Sequence, residues 1–401
     1  MVDAGGLNPP DQQWSYEFES HPGHTEGVTS GPELRARLEA RVSAMVVDIG
    51  QFVDVESPSL SLDDLDRSAA FLAALMTKHL GSAPEVLQTE RGPNVHWRGG
   101  SSPKVLVVGH HDTVFPKGTV ASRSFSVDGD VLRGPGVFDM KAGIVQAIYG
   151  LSELDDLSHV EILITCDEEV GSYSSRELIE ERARAAGAVL VLEPAADGGA
   201  VKTARKGVGT FRVDIAGRAS HAGLEPEKGV NALIELAAQV QRIATFGRPE
   251  LGTTVTPTVA TAGTTENVVP AQAQIIVDTR VNVPEEKVRV EAAMASLVPT
   301  VVGSTISVSG SINRPPMHES ASASLFALAQ RVAPSVGIAS LAGVAVGGGS
   351  DGNFTAAIGV PTLDGLGACG GGAHAESEHV MVSSMAERAA LVAALVAELA
   401  K

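Results

Sequence analysis

The sequence predicts an α/β fold, a doubly wound and mostly parallel sheet into which a ferredoxin-like unit is inserted. Compact apolar runs rich in β-branched residues recur at 105–108, 160–165, 189–192 and 360–363, with the length and composition of strands buried on both faces. Helical patterns stand between several of them, at 141–154 and 174–186, and strands alternating with helices imply a sheet covered on both sides. Between about 206 and 316 the rhythm changes to strand, helix, strand, strand, helix, strand, the β-α-β-β-α-β order of a ferredoxin-like unit.

Taken in order, residues 1–30 read as a flexible tail. They carry Pro9, Pro10, Pro22, Gly23 and Gly27 but neither the basic start nor the apolar stretch of a signal peptide. Apolar positions at helical spacing over 32–52 and 61–80 predict two leading helices, the second begun by Asp63, Asp64 and Asp66, which suit a helix N-terminus. The strand and helix alternation then runs to residue 206. The inserted unit is placed at 207–316, with strands at 210–215, 253–262, 272–281 and 305–309 and helices at 230–244 and 285–297. After Pro315 and Pro316 the helical pattern at 322–332 and the run at 360–363 resume the first domain, so 31–206 and 317–401 are read as one unit.

Composition narrows the function classes. A chain of 401 residues that is 44% hydrophobic and 19% charged suits two packed domains. A formal net charge of −18 argues against a phosphate-neutralising partner, so nucleic acid is not expected. No apolar run reaches the roughly 18 residues of a membrane span. Cys166 and Cys369 are the only cysteines and Cys166 lies in an apolar run, so no disulfide framework is indicated and a reducing, cytoplasmic setting is expected.

Chemistry gathers where the buried runs end, and in open α/β sheets ligands bind at the carboxyl ends of the strands. The run at 105–108 leads into Gly109, His110, His111, Asp112 and Thr113. Residues two apart in an extended segment share a face, so Asp112 can sit beside His110 and fix its tautomer. Asp139 follows tight glycine turns in GPGVFDMKAG; Asp167, Glu168 and Glu169 follow the run at 160–165; Glu193 ends the run at 189–192; and His374 follows the glycines at 370–372. Imidazoles with carboxylates suit zinc, cobalt or manganese, and carboxylates packed together need a cation to offset their repulsion.

In combination, GHHDTV, GPGVFDMKAG, TCDEEVGS, VLEP, ASHAG, ENVVP, GGGSDGN and GAHAESE resemble the di-zinc metallopeptidase family of glutamate carboxypeptidases, aminoacylases, acetylornithine deacetylase and succinyl-diaminopimelate desuccinylase. The resemblance runs from about residue 33 to the end and points to the glutamate carboxypeptidase branch. It implies a zinc exopeptidase-like catalytic domain holding two zinc ions, with cobalt or manganese as substitutes. Asp139 would bridge them, His110 and Glu193 would complete one site, and Glu169 and His374 the other. It further implies that Asp112 orients His110, that Glu168 is the general base, and that a hydroxide shared by the cations attacks the amide. The inserted unit becomes a lid and homodimerisation domain whose His221 reaches a partner's active site. Asn267 and Arg280 would bind substrate, and Arg314 would grip a substrate carboxylate.

Some neighbours stay open as competitors: His111 for His110, and His379 for His374. Lys206 could meet a second substrate carboxylate or be a solvated hinge residue, and Ser350 and Asp351 read as loop-shaping or substrate-contacting. The expected activity is hydrolysis of the amide bond of a small peptide or N-acyl amino acid with a free carboxylate. The alternatives are an N-acyl or N-carbamoyl amino acid deacylase and, third, a metal-binding scaffold without activity.

Overall fold

The computed structural model describes residues 30–401, so the tail expected at 1–30 falls, Ser30 apart, outside the described residues. The helical pattern from 32 to 52 divides into Gly31–Ala40 and Val42–Asp54, because Arg41 leaves the helical conformation at φ −104° and ψ 1°. Leu62–Leu80 follows and stops at Gly81, whose left-handed φ of 78° closes the helix.

Six strands form the main sheet in the order Glu85–Thr89, Gly92–Arg98, Val160–Thr165, Val105–His110, Val189–Val191, Thr362–Leu363. The last four run parallel, and the first two are an antiparallel hairpin added at one edge. Period-two alternation sorts the side chains. Val105, Val107, Ile162, Ile164 and Leu190 enter one core with residues of Val42–Asp54, Ala142–Leu151 and Met385–Ala400, while Leu106, Val108, Leu163, Val189 and Val191 meet Arg176–Ala186 on the other face. This is the doubly wound sheet that the apolar runs predict. The edge hairpin has no comparable signal, since its first strand is largely exposed and its second holds Pro93.

The strand Val105–His110 is followed in the chain by its neighbour on one side, Val160–Thr165, and then by its neighbour on the other, Val189–Val191. Winding reverses at that strand, which opens a crevice beyond its carboxyl end. Register completes the placement: His110 lies opposite Thr165 and Val108 opposite Val191, so the residues after each neighbour emerge to either side of His110.

Gly207–Ala216, Thr254–Ala262, Gln272–Val281 and Thr305–Arg314 make a separate antiparallel sheet, in the order Thr254–Ala262, Gln272–Val281, Gly207–Ala216, Thr305–Arg314. Ala232–Ala244 and Pro284–Ala295 cover one face, packing Leu236, Ile243, Val290 and Met294 on Phe211, Val213, Ile215, Ile275 and Val277. The opposite face is polar, with Gln274 donating to Asp214. Connections and order are ferredoxin-like, as expected. The chain enters and leaves this unit side by side: Arg205 and Met317 exchange two backbone hydrogen bonds of 2.9 Å, and Asn353 Nδ2 donates to the carbonyls of Lys206 and Pro315. Among the described residues no helix is long and apolar enough to cross a membrane, and Cys166 and Cys369 are unpaired.

The loop before Thr305–Arg314 is held by one buried carboxylate. Glu235 accepts from the amides of Thr300 and Val301 at 2.9 and 2.6 Å and from Ser304 Oγ at 2.9 Å. Burial pushes its carboxyl up, but these bonds and that from Gln239 outweigh it and hold it below the ordinary value of 4.5. A folded value below the unfolded one means stability that is present above the ordinary value and lost as the pH falls. Glu235→Gln is therefore expected to lower the unfolding free energy by about 2 kcal/mol near neutral pH. In urea denaturation the gap to wild type should narrow in acid, and a gap independent of pH would show that the charge is irrelevant.

Candidate metal centre

His110, at the end of its strand, is buried, and its Nδ1 lies 3.0 Å from the carbonyl oxygen of Asp112 and 3.4 Å from Asp112 Oδ1. With a proton assigned to Nδ1, Nε2 turns its lone pair to the crevice, 3.2 Å from Asp139 Oδ1 and 3.6 Å from Glu193 Oε1. The nearer partner is thus the backbone of Asp112 rather than its carboxylate. That carboxylate instead ties the neighbouring strand end, accepting from the amides of Glu168 and Glu169 at 3.1 and 3.2 Å and from Ser59 Oγ at 2.6 Å.

Asp139 stands between two imidazoles, offering Oδ1 to His110 and Oδ2 to His374 Nε2 at 3.4 Å. His374 also lies 3.2 Å from Glu169 Oε1. It reaches this place with a left-handed backbone, φ 62°, that a residue with a Cβ adopts at a cost. Donor atoms of His110, Asp139 and Glu169, and separately of His110, Glu168 and Glu193, lie within 4.8 Å of one another. The second group puts Glu168 where Asp139 is expected. Glu168 Oε1, however, is already engaged by Arg314 Nη2 at 2.9 Å, whereas Asp139 meets both imidazoles.

The charges of this cluster act on one another. The carboxylates of Asp139 and Glu169 push His374 up to about 10, and His110 is raised by Asp112, Asp139 and Glu193 in spite of its burial. Burial pushes Glu168 well above the ordinary glutamate value and Glu169 upward. Burial and Asp139 act on Glu193 in the same sense, but Arg205 and His110 hold it down at about 2. Two imidazoles and carboxylates gathered this closely form a donor set suited to divalent cations.

Cationic side chains flank the cluster. Arg205 gives Nη2 to Glu193 Oε2 at 3.0 Å and clasps Asp364 at 2.6 and 3.0 Å, with Lys202 Nζ 3.8 Å from the same Glu193 oxygen. Arg314 Nη2 serves Glu168, Ser172 Oγ and, at 3.5 Å, Asp351, while its Nε is buried without a partner. Arg205, Asp364 and Glu378 are not among the candidates named from the sequence, although Asp364 directly follows the run at 360–363 and Glu378 closes GAHAESE. Glu378 takes three backbone N–H groups near Asp139.

The remaining candidates separate. His111 is buried against Ser68 Oγ and the Pro93 carbonyl, and burial lowers it to about 4. His379 meets Ser377 O, Lys206 Nζ donates to Gly252 O, and Ser350 Oγ donates to Asp364. His221 and Asn267 are exposed, and the His221 Nδ1 accepts from the amides of Gly223 and Leu224. Arg280 is paired with Asp278 at 3.0 and 2.8 Å. Among the contacts of the described residues, these three make none with the cluster.

Comparison with known proteins gives the family. Residues 106–398 match the model of peptidase family M20/M25/M40. The chain is 30% identical over 377 residues to carboxypeptidase G2 of Pseudomonas sp. (strain RS-16), covering 89% of each protein. The fold matches an M20 family metallo-carboxypeptidase of Sulfolobus solfataricus at a TM-score of 0.73, with 16% identity over 88% of this chain and 98% of that one. It matches human carnosine dipeptidase 1 at 0.66, with 15% identity over 92% and 99%. The motif resemblance read from the sequence is thus borne out, and the chain belongs to peptidase family M20/M25/M40, near its glutamate carboxypeptidase branch, as a metal-dependent hydrolase.

Proposed function

We propose that the protein is a di-zinc hydrolase that cleaves the amide bond of a small peptide or N-acyl amino acid next to a free carboxylate. The observation that carries this reading is Asp139 set between His110 and His374, one carboxylate oxygen to each. His110 and Glu193 would hold one zinc ion, His374 and Glu169 the other, and Asp139 both. Bound there, the pair would supply Lewis acidity to the scissile carbonyl and make water nucleophilic near neutral pH.

The chain's own residues would do the rest. Glu168, buried beside this set, would take the proton of the attacking water and deliver it to the leaving amine. Its raised proton affinity suits a group that must hold and release a proton. Arg314, with Nε and part of its guanidinium unengaged, would receive the substrate carboxylate. Similarity to carboxypeptidase G2 favours a C-terminal amino acid as the leaving group.

A homodimer through the inserted unit fits the exposed edge strand Thr254–Ala262 and the exposed Leu233 and Ile234 on the adjacent helix. It also gives His221 and Asn267, turned away from their own cluster, a partner's site to serve. Two unpaired cysteines suit the cytoplasm.

Glu168→Gln is expected to reduce kcat by about 100-fold to 10,000-fold on N-acyl amino acids and dipeptides, with zinc content unchanged. Chelation should abolish the activity and zinc restore it. Turnover that persists through either treatment would refute the mechanism. Arg314→Ala should cost about 10-fold to 100-fold in kcat/KM on substrates with a free carboxylate and far less on their carboxamide analogues. Equal losses on both would assign Arg314 to Glu168 instead of substrate. Comparing N-acyl glutamate with other N-acyl amino acids then separates a carboxypeptidase of the glutamate type from a general deacylase.

A further inference from the structure

Glu378 is 1% exposed, lies on the same loop as His374, and has no place in the ligand set argued above. Its carboxylate faces the irregular segment that carries Asp139. Oε2 accepts from the Gly136 amide at 2.8 Å, and Oε1 accepts from the amides of Phe138 and Asp139 at 2.9 and 3.0 Å. Gly136 has a left-handed φ of 72°, so the amides of this turn converge on one point, where no strand is available to receive them. Buried amides need acceptors, and an ionised carboxylate is the side chain with enough lone pairs for three.

The far end of the same segment is fixed independently. Lys141, also 1% exposed, donates its ammonium to the carbonyls of Phe52 and Val55 at 3.0 and 2.7 Å, at the end of the helix Val42–Asp54. Asp139 is therefore held from both sides, by Glu378 before it and Lys141 after it. Only Glu378 comes from the loop that supplies His374, whose ring meets Asp139 Oδ2 at 3.4 Å. Beside the strand pairing of His379 with Arg133, Glu378 thus ties the segment of the carboxylate that both cations would share to the loop of one of the histidines.

We propose that Glu378 is the positioning residue of the metal centre, locking the Asp139 segment to the His374 loop through three main-chain hydrogen bonds without touching a cation. The inference rests on the reading of Asp139 as the shared ligand. Glutamine at this position keeps size and shape but offers one acceptor oxygen, and its NH2 group would face an amide that also donates.

The test is zinc affinity and stoichiometry, measured by competition with a chelator on the full chain. Glu378→Gln is expected to weaken zinc binding by about 10-fold to 100-fold, the effect found for partners that orient metal ligands. Because Glu378 acts through Asp139, it should add little further loss in an Asp139→Asn background. Hydrogen exchange of the metal-free protein should show the amides of Gly136, Phe138 and Asp139 slow in wild type and fast in Glu378→Gln, a readout that needs no zinc. Wild-type affinity in Glu378→Gln, or an undiminished loss in the Asp139→Asn background, would overturn the proposal. If Glu378→Gln does not fold, Glu378→Asp, one methylene short of the amides, should weaken zinc in the same sense, and wild-type affinity there is equally decisive against it. A wild-type chain that binds no zinc would instead overturn the di-zinc reading itself.

Discussion

Like charges crowded beneath a protein surface repel one another strongly because little solvent stands between them. Asp112, Asp139, Glu168, Glu169 and Glu193 converge beyond the ends of three neighbouring strands, and Arg205, Arg314 and two imidazoles supply part of the compensation. The rest of the architecture follows from holding that group in place. A rigid parallel sheet fixes one side, because His110, the Glu168–Glu169 pair and Glu193 are set by backbone register. Loops close the other side, and there specific side chains must replace what the sheet does for free.

That division explains what the sequence reveals and what it hides. Buried parallel strands announce themselves as apolar runs, and the polar residue that ends each run is conspicuous. His110, Glu168, Glu169 and Glu193 are therefore legible in the sequence alone, as is Asp139 through its glycines. The β-α-β-β-α-β order is equally plain, since its strands alternate cleanly between one packed and one polar face. Arg205 gives no such sign, and Glu378 stands in GAHAESE with nothing there to name its partner. Each does its work through partners far along the chain, Asp364 for one and the Gly136 segment for the other, and a pattern confined to neighbours in sequence carries no trace of that pairing. The edge hairpin is hidden for a different reason: its first strand is largely exposed, and its second, though buried, mixes Pro93, Asn94 and His96 with Val95 and Trp97.

The inserted unit contributes unevenly. Arg314 enters the crevice, while His221 and Asn267, which the motif resemblance links to catalysis and to substrate binding, sit on its surface. Their type and spacing are readable, but among the contacts of the described residues they make none with the cluster, a placement no local pattern in the sequence encodes.

The paired segments at Arg205 and Met317 give this unevenness a mechanical meaning. If the inserted unit rotates relative to the main sheet, both connections bend together, and the fulcrum lies at that pair. Arg314 belongs to the last strand before the fulcrum, at the short end of the lever, whereas Thr254–Ala262 forms the far margin of the sheet. A swing that carries the margin a long way would displace the guanidinium little. Arg314 would thus stay near Glu168 while the rest of the unit moves, which uncouples the position of the guanidinium from the opening of the cleft.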